Sequence, residues 1–214
     1  MRAGGHAGGR SVMRLDHIAV SAATLDEGAA AVEAALGVPL APGGQHAHMG
    51  THNRLLGLGD IYLEVIAIDP DAQKPDWPRW FDLDRFTGAP RVTNWIMACD
   101  DLDAEVAAGP EGVGLPVALS RGDLSWRMAI PATGRLPFDD AFPALMRWNG
   151  TAHPATRLPD RGVRLTRLEV AHPDAAGLRA ALDGRFADPR LVIIEGSAKA
   201  IRGTFETPGG TRTL

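Results

Sequence analysis

A strand followed by a capped helix is written three times in this chain, and that repetition constrains the fold more than any other feature. Leu15-Asp16-His17-Ile18-Ala19-Val20 reads as a strand, and Thr24-Leu25-Asp26-Glu27 opens an Ala-rich helix ending at Gly37. Residues 92–99 repeat the strand, and Asp100-Asp101-Leu102-Asp103 opens a second helix ending near Gly109. Residues 165–171 repeat it again, and His172-Pro173-Asp174 opens a third helix ending near Gly184. Three extended stretches follow each helix: 45–49, 51–58 and 61–68, then 116–121, 124–130 and 144–148, then 191–195, 198–206 and 211–214. Each copy therefore reads βαβββ. A sheet of that kind has one face covered by its helix and one bare, and pairing two copies encloses the bare face. The expected fold is α+β. Two paired βαβββ modules, 13–69 and 91–150 with a connector at 70–90, form a curved, cup-like mixed sheet with helices outside, and a third similar module occupies 163–214.

Local chemistry supports this order. Thr24 followed by Glu27 has the spacing of a capping box, Ala29, Val32, Ala35 and Leu36 give a helical apolar stripe, and Gly37 suits a left-handed helix end. Gly122-Asp123 between two extended runs is a hairpin signal. Strand alternation then sorts the faces. Asp16, Ile18 and Val20 fall on one side of the first strand, and Leu15, His17, Ala19 and Ser21 on the other. In the strand closing the first copy, Ile61, Leu63 and Val65 suit a helix, whereas Tyr62, Glu64 and Ile66 point the opposite way. His17 and Glu64 thus share the uncovered face, as a metal-binding pair, a direct ligand contact or a hydrogen-bonded structural pair.

His46, His48 and His52 stand nearby on the expected hairpin, and His52 within Gly50-Thr51-His52-Asn53 is the candidate singled out as third donor or base. Two imidazoles and a carboxylate would suit Zn, Ni, Mn or Fe. Trp77-Pro78-Arg79-Trp80-Phe81 lies in the long connector, where lids are common, and Trp80 is a candidate ligand contact. Cys99 shares a face with Trp95 and Met97, which reads as an inert core thiol. Gly112-Val113-Gly114 lacks the third glycine and the following helix of a dinucleotide fingerprint.

Composition removes several classes of function. A net charge of -4 with no basic block disfavours nucleic acid and anionic membranes. One cysteine forbids an intrachain disulfide framework. No apolar run reaches the roughly 18 residues that span a bilayer. Residues 1–12 are Gly-rich without an apolar signal core, so a disordered extension is expected, with Met13 as an alternative start, and the protein reads as cytoplasmic.

With a capped helix after LDHIAV, and with GGQHAHMGTHN, GDIYLEVIA and VTNWIMACDDLD, residues 13–155 resemble the glyoxalase-like proteins of the vicinal oxygen chelate superfamily, the glyoxalase, bleomycin resistance and dioxygenase type. The resemblance implies a glyoxalase-like domain over 13–155. It also implies a divalent metal held by first and last strands of two paired units, at positions that read His17, Glu64, Asn94 and Arg147 here. Asn94 and Arg147 depart from that ligand pattern and become candidate substrate contacts beside Tyr62 and Trp80. The metal set then becomes His17, Glu64 and His52, with Glu64 and His52 in catalytic roles. In the third copy the position matching His17 is Arg167. The function implied is a small-molecule enzyme of lyase, isomerase or dioxygenase type acting on an oxygen-rich metabolite, or alternatively a metal-free binding protein like drug-resistance members. The third module is expected either to pack on the first two or to mediate a homodimer, and the partner expected in the cup is a small-molecule ligand.

Overall fold

The computed structural model describes residues 13–214, and the expectation for residues 1–12 lies outside them. The first unit comprises β1 (Arg14–Ser21), α1 (Leu25–Leu36), β2 (Ala41–His46), β3 (Thr51–Gly57) and β4 (Tyr62–Ile68). The second comprises β5 (Arg91–Ala98), α2 (Leu102–Ala107), β6 (Leu115–Arg121), β7 (Leu124–Ile130) and β8 (Ala144–Trp148). The third comprises β9 (Arg164–His172), α3 (Ala175–Leu182), β10 (Leu191–Glu195), β11 (Ala200–Thr207) and β12 (Gly210–Thr213). All three keep the βαβββ order. Each helix starts where a side chain satisfies an otherwise orphaned amide: Thr24 accepts from Glu27, Asp101 from Ala104 and Asp174 from Gly177. Among the described residues no helix is long and apolar enough to cross a membrane.

The first two units share one eight-stranded sheet, ordered β2-β3-β4-β1-β5-β8-β7-β6. In each unit the first strand pairs in parallel with the last, and β1 and β5 meet antiparallel at the centre. The sheet curls until its two edges approach, and Arg121 from β6 reaches across to Asn53 on β3. The third unit has the same order along the chain but different wiring. There β9 pairs in parallel with β10, directly after α3, giving a four-stranded sheet ordered β10-β9-β11-β12. It cannot reproduce the cup. Instead Leu168, Val170 and Phe205 pack into the core on the helix side of the large sheet.

Burial follows the alternation. Ile18, Val20, Leu63, Val65, Trp95, Met97 and Cys99 join Val32 and Leu36 of α1 in the convex-side core. Gly28 lets α1 approach β4 so closely that a Cβ there would stand 2.6 Å from Val65 Cγ1. The concave face is lined by Ala19, Ile66, Ile96, Trp126, Met128 and Met146, with Trp80, Phe81 and Leu83 of the connector folded into it. Arg79 secures that connector, bridging Asp84 at 2.6 Å and donating to the Gly50 carbonyl.

One face assignment changes. The pairing of β1 with β5 shifts register between Leu15 and His17. This irregularity puts Leu15 into the convex core with Ile18 and leaves Asp16 beside His17 instead of opposite it.

Candidate active site

The cup narrows to a tight pocket lined by His17, His46, Tyr62, Glu64 and Arg121 and walled by aromatic and methionine side chains. Sequence alternation placed His17, Tyr62 and Glu64 on this face, and the structure brings them together. His17 is held on three sides. Its Nδ1 donates to Asp16 Oδ1 at 2.6 Å, its ring stacks on Tyr62 at 4.4 Å, and its Nε2 faces Glu64 Oε2 across 3.6 Å. That last distance is longer than a well-formed hydrogen bond, so Nε2 is held toward Glu64 mainly by charge, at the wall of the pocket.

Asp16 carries the burial of this arrangement. Only 4% exposed, its Oδ2 accepts from Trp148 Nε1 at 2.8 Å and from His153 Nε2 at 3.0 Å. His153 Nδ1 takes the Ala155 amide at 3.2 Å, which leaves Nε2 as the protonated nitrogen. Burial alone would raise the Asp16 carboxyl, but the His153 and His17 hydrogen bonds override it and hold Asp16 well below the carboxylate range. Burial would likewise lower His17, yet the Asp16 hydrogen bond and the negative charge of Asp16 and Glu64 raise it to about 9. Glu64, which burial pushes up, is brought down to about 2 by His17, His46 and Asn53. His17 is therefore an imidazolium between two carboxylates at neutral pH.

A second chain of contacts fixes the far side. Asn53 Oδ1 accepts from the Gly44 amide at 2.8 Å and from Arg121 at 2.9 Å. Its Nδ2 is thereby the donor to Glu64 Oε1 and to His46 Nε2 at 3.3 Å. His46 Nε2 must then be an acceptor, and its Nδ1 donates to Thr51 Oγ1 at 3.0 Å. Burial accordingly lowers His46 to about 4, against the pull of Glu64, and it stays neutral.

Three expected site residues lie elsewhere. His52 occupies the opposite face of β3 from Asn53, its Nδ1 4.0 Å from Asp69, so it is neither a third metal donor nor a base in this pocket. Arg147 is exposed on the outer side of β8; Met146 and Trp148 are the residues of that strand that line the pocket. Strand register explains the error. Glu64 lies opposite Ala19 of β1, and the residue opposite Ile96 of β5 is Ala144, so Ala144 stands where Arg147 was expected. Asn94 is fully buried but lines a separate cleft. Arg167, in the third unit, forms an exposed pair with Glu169. Trp80, by contrast, does line the pocket as expected. Trp77 does not close over it, being 45% exposed and stacked on His48.

These positions decide whether a divalent metal fits. The second unit contributes Asn94, turned into its own cleft, and Ala144, which has no donor. His46 could pair with His17 and Glu64, but the Arg121 guanidinium lies 3.5 Å from His46 Nε2, and Asn53 occupies Glu64 Oε1. Among the described residues no three His, Cys, Asp or Glu side chains converge as a metal site. The residues present do not fit the group.

Similarity to known proteins agrees with the architecture. A solved hypothetical protein from Staphylococcus aureus shares the fold with a TM-score of 0.60 at 13% identity, over 88% of each chain. A variant of Streptomyces coelicolor methylmalonyl-CoA epimerase in complex with 2-nitronate-propionyl-CoA matches 66% of this chain and 100% of its own at 18% identity and a TM-score of 0.45. Methylmalonyl-CoA epimerase from Mycobacterium tuberculosis matches 64% of this chain and 88% of its own, at 18% identity and a TM-score of 0.42. None of the curated proteins matches the sequence. The glyoxalase-like domain matches residues 15–186, which takes in the whole cup and continues through α3. Paired βαβββ units around a cup, with that match over most of the chain, place the protein in the glyoxalase-like domain family.

Proposed function

We propose that the cup is the active centre of a small-molecule enzyme of isomerase or lyase type that moves a proton on a carbonyl-bearing metabolite without a metal. The observation that carries this reading is His17 clamped by Asp16 at 2.6 Å, with its Nε2 and the Glu64 carboxylate side by side, 3.6 Å apart, on the pocket wall. A ligand carbonyl oxygen accepting from Nε2 becomes electron-poor, which acidifies the adjacent C–H. Glu64 Oε2 then takes that proton, and Arg121 balances the negative charge that develops on oxygen. Returning the proton to the same carbon isomerises the ligand, and expelling a neighbouring group makes the reaction a lyase. Trp80, Trp126 and Trp148 exclude water and restrict the ligand to a small one. We take residues 13–155 as the catalytic domain of a cytoplasmic protein.

A second reading, a metal-free small-molecule binding protein, is favoured by one feature. Glu64 held near 2 is a weak base, and each charge in the pocket already has a partner. Deuterium exchange separates the two. In D2O, a panel of small 2-hydroxy and 2-oxo carbonyl compounds is expected to include one whose C–H signal disappears with the wild-type protein. His17→Asn should slow that loss by about 10²–10⁴-fold, the usual contribution of a positioned acid or base. Tryptophan fluorescence that responds to such compounds with no exchange in any of them would leave the binding protein as the correct reading.

A further inference from the structure

A second cleft, on the far side of the connector from the cup, carries charges that the proposed chemistry does not use. It lies where the third unit docks against β5, and its walls include Phe81, Asp82, Arg91, Asn94, Asp140 and Lys199. This cleft is far roomier than the pocket in the cup.

Three observations converge on it. Asn94 is 0% exposed, and both polar atoms of its amide lack a hydrogen-bond partner among the described residues. A buried amide with donor and acceptor both unmet is costly unless something else satisfies it. Next, the charges are unevenly matched. Asp82 is paired with Arg85 at 2.6 Å, Asp139 with Arg135 at 3.3 Å, and Asp140 accepts the Leu136 amide at 2.7 Å with Arg135 nearby. Arg91 and Lys199 have no carboxylate within ion-pair distance among the described residues. Arg91 donates to the Thr87 and Ala89 carbonyls above the Phe86 ring, and Lys199 donates to the Thr93 carbonyl at 2.6 Å. Arg135 serves both Asp139 and Asp140, so the cleft sets four cations, Arg85, Arg91, Arg135 and Lys199, against three carboxylates, and it keeps a net positive charge beside an unmet amide. Finally, five non-glycine residues among those described have positive φ, and four of them, Phe81, Asp82, Asp139 and Asp140, line this cleft. Backbone in that sparsely populated region persists where a particular shape is required, and it clusters at ligand clamps.

We propose that this cleft binds the oxyanion group, carboxylate or phosphate, of a small metabolite, with Arg91 and Lys199 supplying charge and Asn94 a hydrogen bond. The third unit then has a role: it delivers Lys199 to β5 and so completes a site that the cup-forming units lack. Phe81 lines both cavities, so a ligand here rests against the wall of the cup.

Calorimetric titration of the full chain with inorganic phosphate and, separately, with malonate tests this, with sodium chloride as the ionic-strength control. Saturable binding of either anion is expected, and the anion that binds identifies the head group. Lys199→Met and Arg91→Gln should each weaken it by about tenfold or more, as expected for loss of a charge-assisted contact. Asn94→Leu should weaken binding while raising the melting temperature of the anion-free protein, because it deletes an unmet buried amide. His17→Gln, in the cup, should bind the anion as the wild type does. Absence of saturable binding, or binding that survives both Lys199→Met and Arg91→Gln, would overturn the proposal. So would binding lost in Arg121→Met but retained in Lys199→Met, since the anion would then occupy the cup.

Discussion

Replacing Asp16 by alanine is expected to remove about 3–5 kcal/mol of unfolding free energy at neutral pH, the range for deleting one partner of a buried ion pair. The deletion strands three donors at once: His17 Nδ1, Trp148 Nε1 and His153 Nε2 all lose their acceptor. The His17 charge would be left with Glu64 alone, across 3.6 Å. Asp16→Asn should do less harm, because an amide oxygen still accepts, but it removes the negative charge and so lowers the His17 pKa. Urea unfolding of the two variants measures both effects. Asp123→Ala is the control, since it breaks the bidentate pair with Arg157 at 2.7 and 2.8 Å on exposed side chains and is expected to leave the midpoint unchanged. Equal losses in Asp16→Ala and Asp123→Ala would mean that the buried network contributes nothing special.

Stability should peak near pH 6.5 and fall on both sides, for opposite reasons. The folded His17 holds its proton up to about 9, above the ordinary 6.5, so its stabilisation is complete below 6.5 and disappears as pH rises through 9. That alkaline loss amounts to about 3 kcal/mol at most. On the acid side, Glu64 contributes above its ordinary 4.5 and loses that contribution as pH falls through 2. Asp16 acts in the same sense, its carboxyl also being held below the ordinary value. His46, kept neutral to about 4, adds stability that is present above 6.5 and is lost as pH falls through 4. Urea midpoints at pH 4, 6.5 and 9 give the profile. In His17→Gln the limb between 6.5 and 9 should flatten while the acid limb remains; an alkaline limb unchanged by that substitution would assign it to another group.

The parts of the site legible in the sequence were those governed by regular alternation. Tyr62, Glu64 and Ile66 follow the pleat of β4, and His17 sits on the same face of β1, so the pair could be read from residue types and spacing. Asp16 could not, because the shift between Leu15 and His17 breaks alternation and no local residue announces it. The choice of His52 over His46 had a readable remedy. His52 and Arg54 share the face of Leu56, which belongs to the helix-side core, and Arg54 pairs with Asp26 of α1 at 2.8 Å. Asn53, one residue on, is therefore the inward one. Arg147 had a similar signal in its neighbours, since Met146 and Trp148 match the inward Trp126 and Met128 of β7. Arg121 left no trace in local pattern: it reaches the site only because the sheet curls until β6 faces β3. The repeat predicted three βαβββ units correctly. It did not reveal that the third pairs β9 with β10, because strand order along the chain does not fix which strands meet.

The proposed chemistry requires His17 to be a protonated imidazole at neutral pH, clamped by Asp16 and offering Nε2–H to the cup. Nitrogen-15 NMR of the histidine side chains across pH 5–10, with His17→Gln used to assign its signals, tests it without any substrate. Both ring nitrogens of His17 should be protonated at pH 7, with a titration midpoint near 9. A midpoint at or below the ordinary 6.5, with one ring nitrogen bare at pH 7, would contradict it.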